Sequence, residues 1–493
     1  MRTWGPLTAV CLGTFMLLLD VTIVVVALPD MARVLGASLS DLQWVVDGYA
    51  LALAALLLGV GAAADVVGRR RVHVAGVVVF AVASLLCGLA SGPGMLVAAR
   101  ALQGLGASAM FATTLPLLGS VYQGRRRSVA LGVWGAVSGA AAAVGPLAGG
   151  LLTEGPGWRW IFFVNLPVSV AAVWLTLRVV PESHGAKRPI DWAGTAAFAV
   201  FAGAATFGVV RAGEDGWGAT TPVVSYAVAG FALLCFLLVE RRVAHPLLDL
   251  SLFRVPAFTG VMAASFVFSA AAFGVLTYTS LWMQSLLGMS PVHGGLAMLP
   301  LSAAAFVVAA AGGRLLHGVP ARLTVGGGLL LVGAGGFAQA VLDAGSTWTA
   351  LVPGLVLVGV GTGLVSPAIA GAALAAVGPE RAGMAGGAVN TFRQFGYALG
   401  VAVLGTVLTS RMRDTLTADA AHTLAGGGAR ALRGSLPEHT LRAAFASGLN
   451  SAALWAGAAA TVAGVLVLLL VRTPRGASAD PRPKPAEAVA PRG

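Results

Sequence analysis

Long apolar runs recur along the whole chain, separated by short segments that hold most of the charged residues. Each run has about 20 residues or more, which is the length that an α-helix needs to cross the hydrocarbon core of a bilayer. The pattern predicts an all-α membrane protein with fourteen transmembrane helices. We place them at residues 6–28, 44–64, 72–91, 94–122, 129–152, 159–180, 192–211, 221–240, 257–287, 293–316, 322–343, 348–377, 384–410 and 448–471.

The order of these spans predicts two six-helix halves with a two-helix insert between them. The N-terminal half takes residues 1–180, the insert with its cytoplasmic loops takes 181–256, and the C-terminal half takes 257–472. A Gly- and Arg-rich loop at 61–71 has a faint echo at 313–322, after the second span of each half. Internal repeats are common in transporter folds, although loops that follow spans are often rich in Gly and Arg.

The charged residues predict the orientation of the chain. Only 10% of the residues are charged, 57% are hydrophobic, and the mean hydropathy is +0.87, which excludes an ordinary soluble domain. With the N-terminus inside, 21 of the 31 Lys and Arg residues face the cytoplasm and 8 face outside. This bias predicts that both termini are cytoplasmic, that the 411–447 loop is external, and that 473–493 is a disordered cytoplasmic tail.

One carboxylate stands at membrane depth. Asp20 lies eight residues before Leu28, about 12 Å from the end of the first span. A charged Asp near a helix centre costs roughly 2.5–3.5 kcal/mol, so we interpret Asp20 as functional; the alternative is a side chain that reaches the headgroups. Arg100 lies about 9 Å into the fourth span from the same side. Opposite charges at matching depth can pair, although Arg100 could instead extend outward on its long stem.

Asp47 is a third candidate for proton coupling, beside Asp20 and Arg100. It lies about 5 Å into the second span from the outer side. Trp44 and Tyr49 flank it, so an interfacial residue of an aromatic belt explains its position equally well.

The loop at 61–71 predicts a gating element. Gly61 and Gly68 would let two helix ends approach closely, and Asp65 can pair with a basic group or face a helix N-terminus. Arg69 and Arg70 would belong to the same element, or would serve only as cytoplasmic anchors.

A second glycine motif lies in the fifth span, at Gly145, Pro146, Gly149 and Gly150. These residues form a small-residue face that permits close helix packing, and Pro146 removes a backbone hydrogen bond and kinks the helix. Both a conformational hinge and plain packing fit this pattern.

Polar side chains in the middle of other spans predict a substrate cavity, because such groups should face the bundle interior or water. Those in the ninth span could instead hydrogen-bond neighbouring helices. The predicted cavity residues are Gln103, Asn390, Arg393, Gln394, Tyr397, Tyr278 and Gln284.

Several function classes find no support in the sequence. The phosphate-binding loop GxxxxGK[ST] is absent, so ATP-driven transport lacks its machinery. The histidines and the three cysteines have no metal-ligand spacing. We therefore expect no enzyme, no cofactor and no metal. The net charge of +12 follows from the topology and implies contact with anionic lipid headgroups rather than with nucleic acid.

Taken together, the motifs resemble the major facilitator superfamily, and specifically its fourteen-span drug:proton antiporter branch. The resemblance covers residues 5 to about 472 and implies proton antiport by alternating access between two halves. It also implies a multi-pass protein of a bacterial cell membrane, a monomer, and hydrophobic, cationic or polyaromatic drugs as substrates. The strings that carry it are Leu19-Asp20-x-Thr22-Ile23-Val24 up to Pro29, the 61–71 loop, Arg100-x-x-Gln103-Gly104, Gly145-Pro146-x-x-Gly149-Gly150, and 158–167.

Three positions depart from the pattern of that branch. Val25 stands where Asn is usual and could alter the cavity. Val66 replaces a basic residue and Ala141 replaces a central Gly, both at packing positions. Two other functions remain open: a dedicated exporter of one endogenous metabolite, such as an antibiotic made by the same cell, and a non-transporting receptor or scaffold on the same fold.

Overall fold

The computed structural model describes residues 4–185, 189–315, 319–377 and 382–471, and within these ranges the regular structure is entirely helical. The predicted tail at 473–493 and part of the 313–322 echo lie outside the described residues. The helices are α1 Gly5–Leu35, α2 Leu39–Val67, α3 Arg69–Gly88, α4 Pro93–Val121, α5 Gly124–Glu154, α6 Trp160–Phe163, α7 Asn165–Val179, α8 Trp192–Asp215, α9 Thr220–Arg242, α10 Pro256–Leu281, α11 Pro291–Ala297, α12 Leu299–Leu315, α13 Ala321–Gln339, α14 Val352–Ala375, α15 Ala382–Met412, α16 Ala418–Ala425, α17 Ala429–Leu432 and α18 Glu438–Leu470.

Twelve helices of the described part are long and apolar enough to cross a membrane, with α6 and α7 together counted as one. Helices α11 and α12 together are also long and apolar enough, but they meet at a bend of 41°. If they form one bent span, the count is thirteen. The all-helical membrane fold is therefore confirmed, whereas the predicted count of fourteen spans is not. Helix α5 has 31 residues and coincides with the predicted span at 129–152, but it is not among the twelve.

The bend between α11 and α12 has a local cause. Pro300 is the second residue of α12, so it has no N–H for the preceding turn and its ring would clash with the carbonyl of residue 296 in a continuous helix. The residues on both sides of this point form one apolar run, and for that reason the sequence predicted a single span at 293–316. At the end of α10, Trp282–Leu286 widens into a π-helical turn.

The helices pack as two groups. Helices α1 to α5 and α7 contact one another, and α10 to α15 and α18 do the same. Two main seams join the groups, one between α2 and α15 and the other between α5 and the α11–α12 pair, and α1 also contacts α10. The hairpin α8–α9 packs outside the first seam, with α8 touching both α2 and α15.

The short connection between α1 and α2 marks one end of the bundle, which we call the α1–α2 end. Gly36 ends α1 with φ +62°, a conformation that favours glycine. Ser38 then begins α2 with a capping box, in which its hydroxyl accepts from the amide of Asp41. The 411–447 segment covers this end with α16 and α17, and Gly426 lies against Leu39.

Candidate functional site

An ion pair is buried in the first group of helices. Asp20 on α1 and Arg100 on α4 meet at 2.6 Å between Oδ2 and Nη1, and their side chains are 0% and 2% exposed. Arg100 also donates from Nε to the carbonyl of Val45 at 3.0 Å. Its guanidinium lies 4.3 Å from the ring centroid of Tyr49. Both partners thus stay inside the bundle, and neither reaches for the headgroups.

Three neutral side chains complete this network. Gln103 donates to Oδ1 of Asp20 at 2.8 Å and accepts from Arg100 at 2.6 Å. Asn165 on α7 also donates to Oδ1 of Asp20, at 3.2 Å. The hydroxyl of Ser84 on α3 accepts from both amides, at 2.9 and 3.3 Å. A buried pair whose remaining polar atoms are satisfied offsets the cost of its desolvation, so the network ties four helices together.

The structure places Gln103 in the Asp20–Arg100 network instead of a cavity, and it adds Asn165 to the site. Gln103 is fully buried in the network and contributes no surface to an interior cavity in this conformation. Asn165 and Ser84 were not predicted as site residues. A lone Asn inside the apolar string at 158–167 was the available signal, whereas Ser84 gave none, because serine is common in transmembrane helices.

Asp47 is buried in a different setting. Its side chain is 0% exposed, and within the described residues neither carboxylate oxygen has a hydrogen-bond partner. Tyr278 and Tyr397, from α10 and α15, lie close enough to feel its charge. An ionised carboxylate would have no donor to offset its desolvation there. Asp47 therefore faces the seam between the two groups and is not an interfacial belt residue.

Two predicted cavity residues instead join the two groups near the α1–α2 end. Gln284 at the end of α10 donates to the carbonyl of Val26 on α1 at 2.8 Å. Tyr278 accepts from Gln43 of α2 at 2.9 Å and donates to the carbonyl of Val401. These bonds close the interior toward this end of the bundle. Gln43 gave no signal in the sequence, since it lies just before the predicted span at 44–64, where an amide is unremarkable.

The glycine motif of α5 packs on both groups. Gly145 and Gly149 lie against α1, at Thr22 and Ile23, and a Cβ at Gly149 would stand 2.8 Å from the carbonyl oxygen of Ile23. No side chain fits there without a shift of one helix against the other.

The next turn of the same helix lies against α11. A Cβ at Gly150 would stand 2.6 Å from the carbonyl oxygen of Pro291, and the carbonyl of Pro146 faces Gly295. The small-residue face therefore holds two backbones close at the seam between the groups. The close packing that the sequence predicted is present, and the hinge role stays a prediction.

The 61–71 loop brings α2 and α3 together at the other end of the bundle. Arg69 binds the carboxylate of Asp65 at 2.8 Å, and the amide of Arg69 donates to the carbonyl of Ser183 at 2.9 Å. A Cβ at Gly61 would meet Ala112 at 3.6 Å, an ordinary contact. Close packing therefore does not require a glycine at that position.

Glu182, after α7, is the residue of this corner that the sequence analysis missed. It accepts from the amide of Arg70 at 2.9 Å and lies 3.8 Å from the guanidinium nitrogens of Arg70 and Arg71. Gly68 has φ +121° and packs against the Glu182 carboxylate, 2.8 Å from where its Cβ would be. An acid in a cytoplasmic loop, on the side of the membrane predicted for Arg69 to Arg71, was the available signal.

A polar face on α15 remains open. Asn390, Arg393 and Gln394 are half-buried, and in the described part of the chain none of them forms a side-chain hydrogen bond or an ion pair. Arg393 only lies over the ring of Phe268 at 5.6 Å. Tyr397, one turn further, is buried.

A cavity of about 800 Å³ lies beyond Gln284, between the α1–α2 connection and α16. Asp30, Arg33, Asp419 and His422 are among its lining residues. The cavity and the open face of α15 lie on opposite sides of the bonds that close the α1–α2 end.

Comparison with known proteins places this arrangement in a family. A profile described as Major Facilitator Superfamily matches residues 10–401. Multidrug resistance protein Stp of Mycobacterium tuberculosis is 37% identical over 412 residues, which cover 83% of this chain and 76% of Stp. The tetracenomycin C resistance and export protein of Streptomyces glaucescens is 33% identical over 502 residues, covering 95% of this chain and 91% of that protein.

A solved structure shows the same fold. The inward-facing, unoccupied structure of a bacterial homolog of the human lysosomal transporter Spinster has a TM-score of 0.65 with this chain. The aligned region covers 95% of this chain and 97% of the bacterial homolog, at 16% sequence identity.

Proposed function

Since the chain belongs to the Major Facilitator Superfamily, we propose that it is a secondary active exporter that exchanges hydrophobic drugs or antibiotics for protons. The relatives named above are resistance and export proteins, which supports this substrate class. The observation that carries the proposal is the fully buried Asp20–Arg100 pair at membrane depth, since ionisable groups there mark ion and substrate pathways.

Protonation of Asp20 would convert the pair into a neutral carboxyl beside an uncompensated guanidinium. Breaking a buried pair in this way costs about 3–5 kcal/mol, which favours any arrangement in which water or another acceptor reaches Arg100. A proton on Asp20 would thus be coupled to movement among α1, α3, α4 and α7. Asp47, buried without a donor, is the second candidate to carry a proton.

The energy source need not be ATP. A membrane potential of 100 mV contributes about 2.3 kcal/mol for each charge moved. One proton that enters per drug molecule therefore supports a useful outward drug gradient.

We propose alternating access between the two groups of helices. The bonds of Gln284 and Tyr278 hold the groups together at the α1–α2 end, and the polar face of α15 lies on the other side of this closure. In the opposite state these bonds would break, and the seam of α5 with α11 and α12 would open. The close approach of the α5 and α11 backbones at Gly150 would let the groups rock without bulky side chains between them.

The topology belongs to the same proposal. If α5 and the bent α11–α12 pair each cross the membrane, the twelve spanning helices become fourteen, with α8–α9 as the two-helix insert. The distribution of basic residues supports a topology with both termini in the cytoplasm and the 411–447 segment outside. The 800 Å³ cavity would then be the external vestibule.

A dedicated exporter of one compound is the second candidate. The relative named as a tetracenomycin C resistance and export protein aligns with 95% of this chain, which favours it. A susceptibility panel in an efflux-deficient host separates a narrow from a broad substrate range.

The Asp20→Asn variant tests the proposal. In proteoliposomes with an imposed proton gradient, we expect the wild type to move ethidium uphill and Asp20→Asn to lose this movement, because the amide cannot exchange a proton. Downhill ethidium exchange should survive, which would separate lost coupling from misfolding. Asp343→Asn, in an exposed loop, is the matched control and should behave as wild type.

Uphill transport by Asp20→Asn would place the coupling site elsewhere, with Asp47 next. No uphill transport by the wild type, for any compound to which it confers resistance, would contradict proton coupling itself.

A further inference from the structure

The two arginines of the bundle interior have opposite surroundings. Arg100 is fully buried and binds Asp20, Gln103 and the Val45 carbonyl. Arg393 is half-buried, and among the described residues it has no hydrogen-bond acceptor and no carboxylate partner. Its guanidinium carbon lies 5.6 Å from the centroid of the Phe268 ring.

Arg393 faces the space between the two groups of helices. Residues four apart share one helix face, and Tyr397, one turn on, lies near Asp47 of α2 and packs on Phe273 of α10. Thr391 of the adjacent face donates to the carbonyl of Ala54 on α2. The exposed part of Arg393 therefore opens to the interior and not to lipid.

The interior that a substrate can reach is therefore positive. Asp20 is neutralised by Arg100 and sealed from solvent, and Asp47 is fully buried beside the tyrosines. A guanidinium at membrane depth is costly unless it is paired or hydrated. Its missing partner would have to come from water or from a bound molecule.

The chemistry of the face selects an acidic partner. A guanidinium offers a planar fork of N–H donors that fits two oxygens of a carboxylate or the oxygens of an enolate or phenolate. The free amides of Asn390 and Gln394 add donors and acceptors on the same face. Phe268 offers an aromatic wall against which a flat ring can pack.

We propose that Asn390, Arg393 and Gln394 form the site that binds an anionic oxygen group of the exported molecule, such as a carboxylate, enolate or phenolate. This rests on the proposed export function and names its substrate class. It differs from the cationic drugs expected from the family resemblance. The anionic group of the substrate would compensate the charge of Arg393, as Asp20 compensates the charge of Arg100.

The test compares an acid with its own neutral ester. The full-length chain is expressed in an efflux-deficient bacterium, and efflux of nalidixic acid, methyl nalidixate and ethidium is measured. Arg393→Gln should lower efflux of the acid by about tenfold or more, the loss expected for one charge-assisted hydrogen-bonded contact. Efflux of the ester and of ethidium should remain. Arg393→Lys should recover part of the acid efflux, since it keeps the charge without the fork.

Arg178→Gln is the matched control, because it removes a guanidinium that lies over an aromatic ring, Trp174 at 5.1 Å, at the end of α7. It should leave all three effluxes unchanged. The proposal is overturned if Arg393→Gln exports the acid as the wild type does, if it loses all three compounds equally, or if the wild type exports the ester or ethidium but not the acid. A wild type that exports none of the three would contradict the export function instead.

Discussion

Three donors converge on the carboxylate of Asp20, from Arg100, Gln103 and Asn165. Each comes from a different turn or helix, so the carboxylate reports on the relative position of α1, α4 and α7. Asp47 has the opposite arrangement, because it is as deeply buried but has no donor in the described part. Loss of the negative charge would therefore weaken three hydrogen bonds at Asp20, whereas at Asp47 it would weaken none in the described part.

A third titratable group lies outside the spans, in the 411–447 segment. Half-burial, and then the guanidinium of Arg413, hold the pKa of His422 below its ordinary value of 6.5, and Glu214 opposes this shift. Nε2 of His422 accepts from Arg413, which in turn binds the carbonyl of Gly213 at 2.6 Å. The neutral imidazole is therefore the form that holds α16 in place.

We expect the α16 region to loosen as the pH falls below about 6.5. The sign follows from proton linkage, because the opened segment binds a proton more readily than the packed one, so stability rises with pH in this window. Hydrogen exchange of α16 amides at neutral and acidic pH measures the effect. His422→Gln should remove the pH dependence, and His439→Gln, at an exposed position, should keep it. Equal protection of the α16 amides at both pH values in the wild type, after division by the intrinsic exchange rate at each pH, would contradict the prediction.

Helix α5 shows how one element serves two partners. Its glycines face α1 on one side and α11 on the next turn, with backbone carbonyls where a Cβ would be. Such contacts tolerate no added volume, and overpacking of this kind costs about 1–3 kcal/mol. The sequence identified the small-residue face but not its two partners, because spacing along one helix does not say which helices lie opposite.

Gly149→Leu should therefore block transport, because the side chain would push α5 away from α1 and so displace the next turn, at Gly150, from α11, where the two groups meet. Substrate binding to the purified protein should change less, since the open face of α15 lies elsewhere. Gly135→Leu is the control on the same helix, because nothing lies within 4 Å of its Cβ position. Efflux is measured for both variants. Wild-type efflux by Gly149→Leu would show that the small-residue face tolerates added volume and is not needed for transport.

Across the whole molecule, hydropathy predicted where the helices lie but not how they end or pair. The helix α18 begins at Glu438, ten residues before the predicted span, because helical hydrogen bonds continue past the hydrocarbon region. The charges of Asp20 and Arg100 could be predicted to meet, since few other groups at that depth can compensate them. The neutral partners Ser84, Asn165 and Gln43 could be identified only from the way in which the helices pack.

The topology can be tested with single cysteines in a background that lacks Cys11, Cys87 and Cys235. Ser435→Cys, at an exposed position of the 411–447 segment, should react with a membrane-impermeant maleimide added to whole cells, because the basic residues favour an external location. Arg126→Cys, exposed at the start of α5, should react only after the cells are permeabilised. The reverse pattern would invert the proposed orientation.

The hairpin α8–α9 has a consequence for the surrounding lipid. Helix α8 lies across the seam of α2 and α15. Its Thr195 contacts Gly59, its Phe201 makes an edge-to-face contact with Phe395, and its Val209 carbonyl accepts from Thr406. Helix α9 behind it presents exposed apolar side chains such as Phe231. If α2 and α15 move apart in the proposed transport cycle, this hairpin would stay between the widening gap and the bilayer. It would then keep acyl chains out of a polar interior.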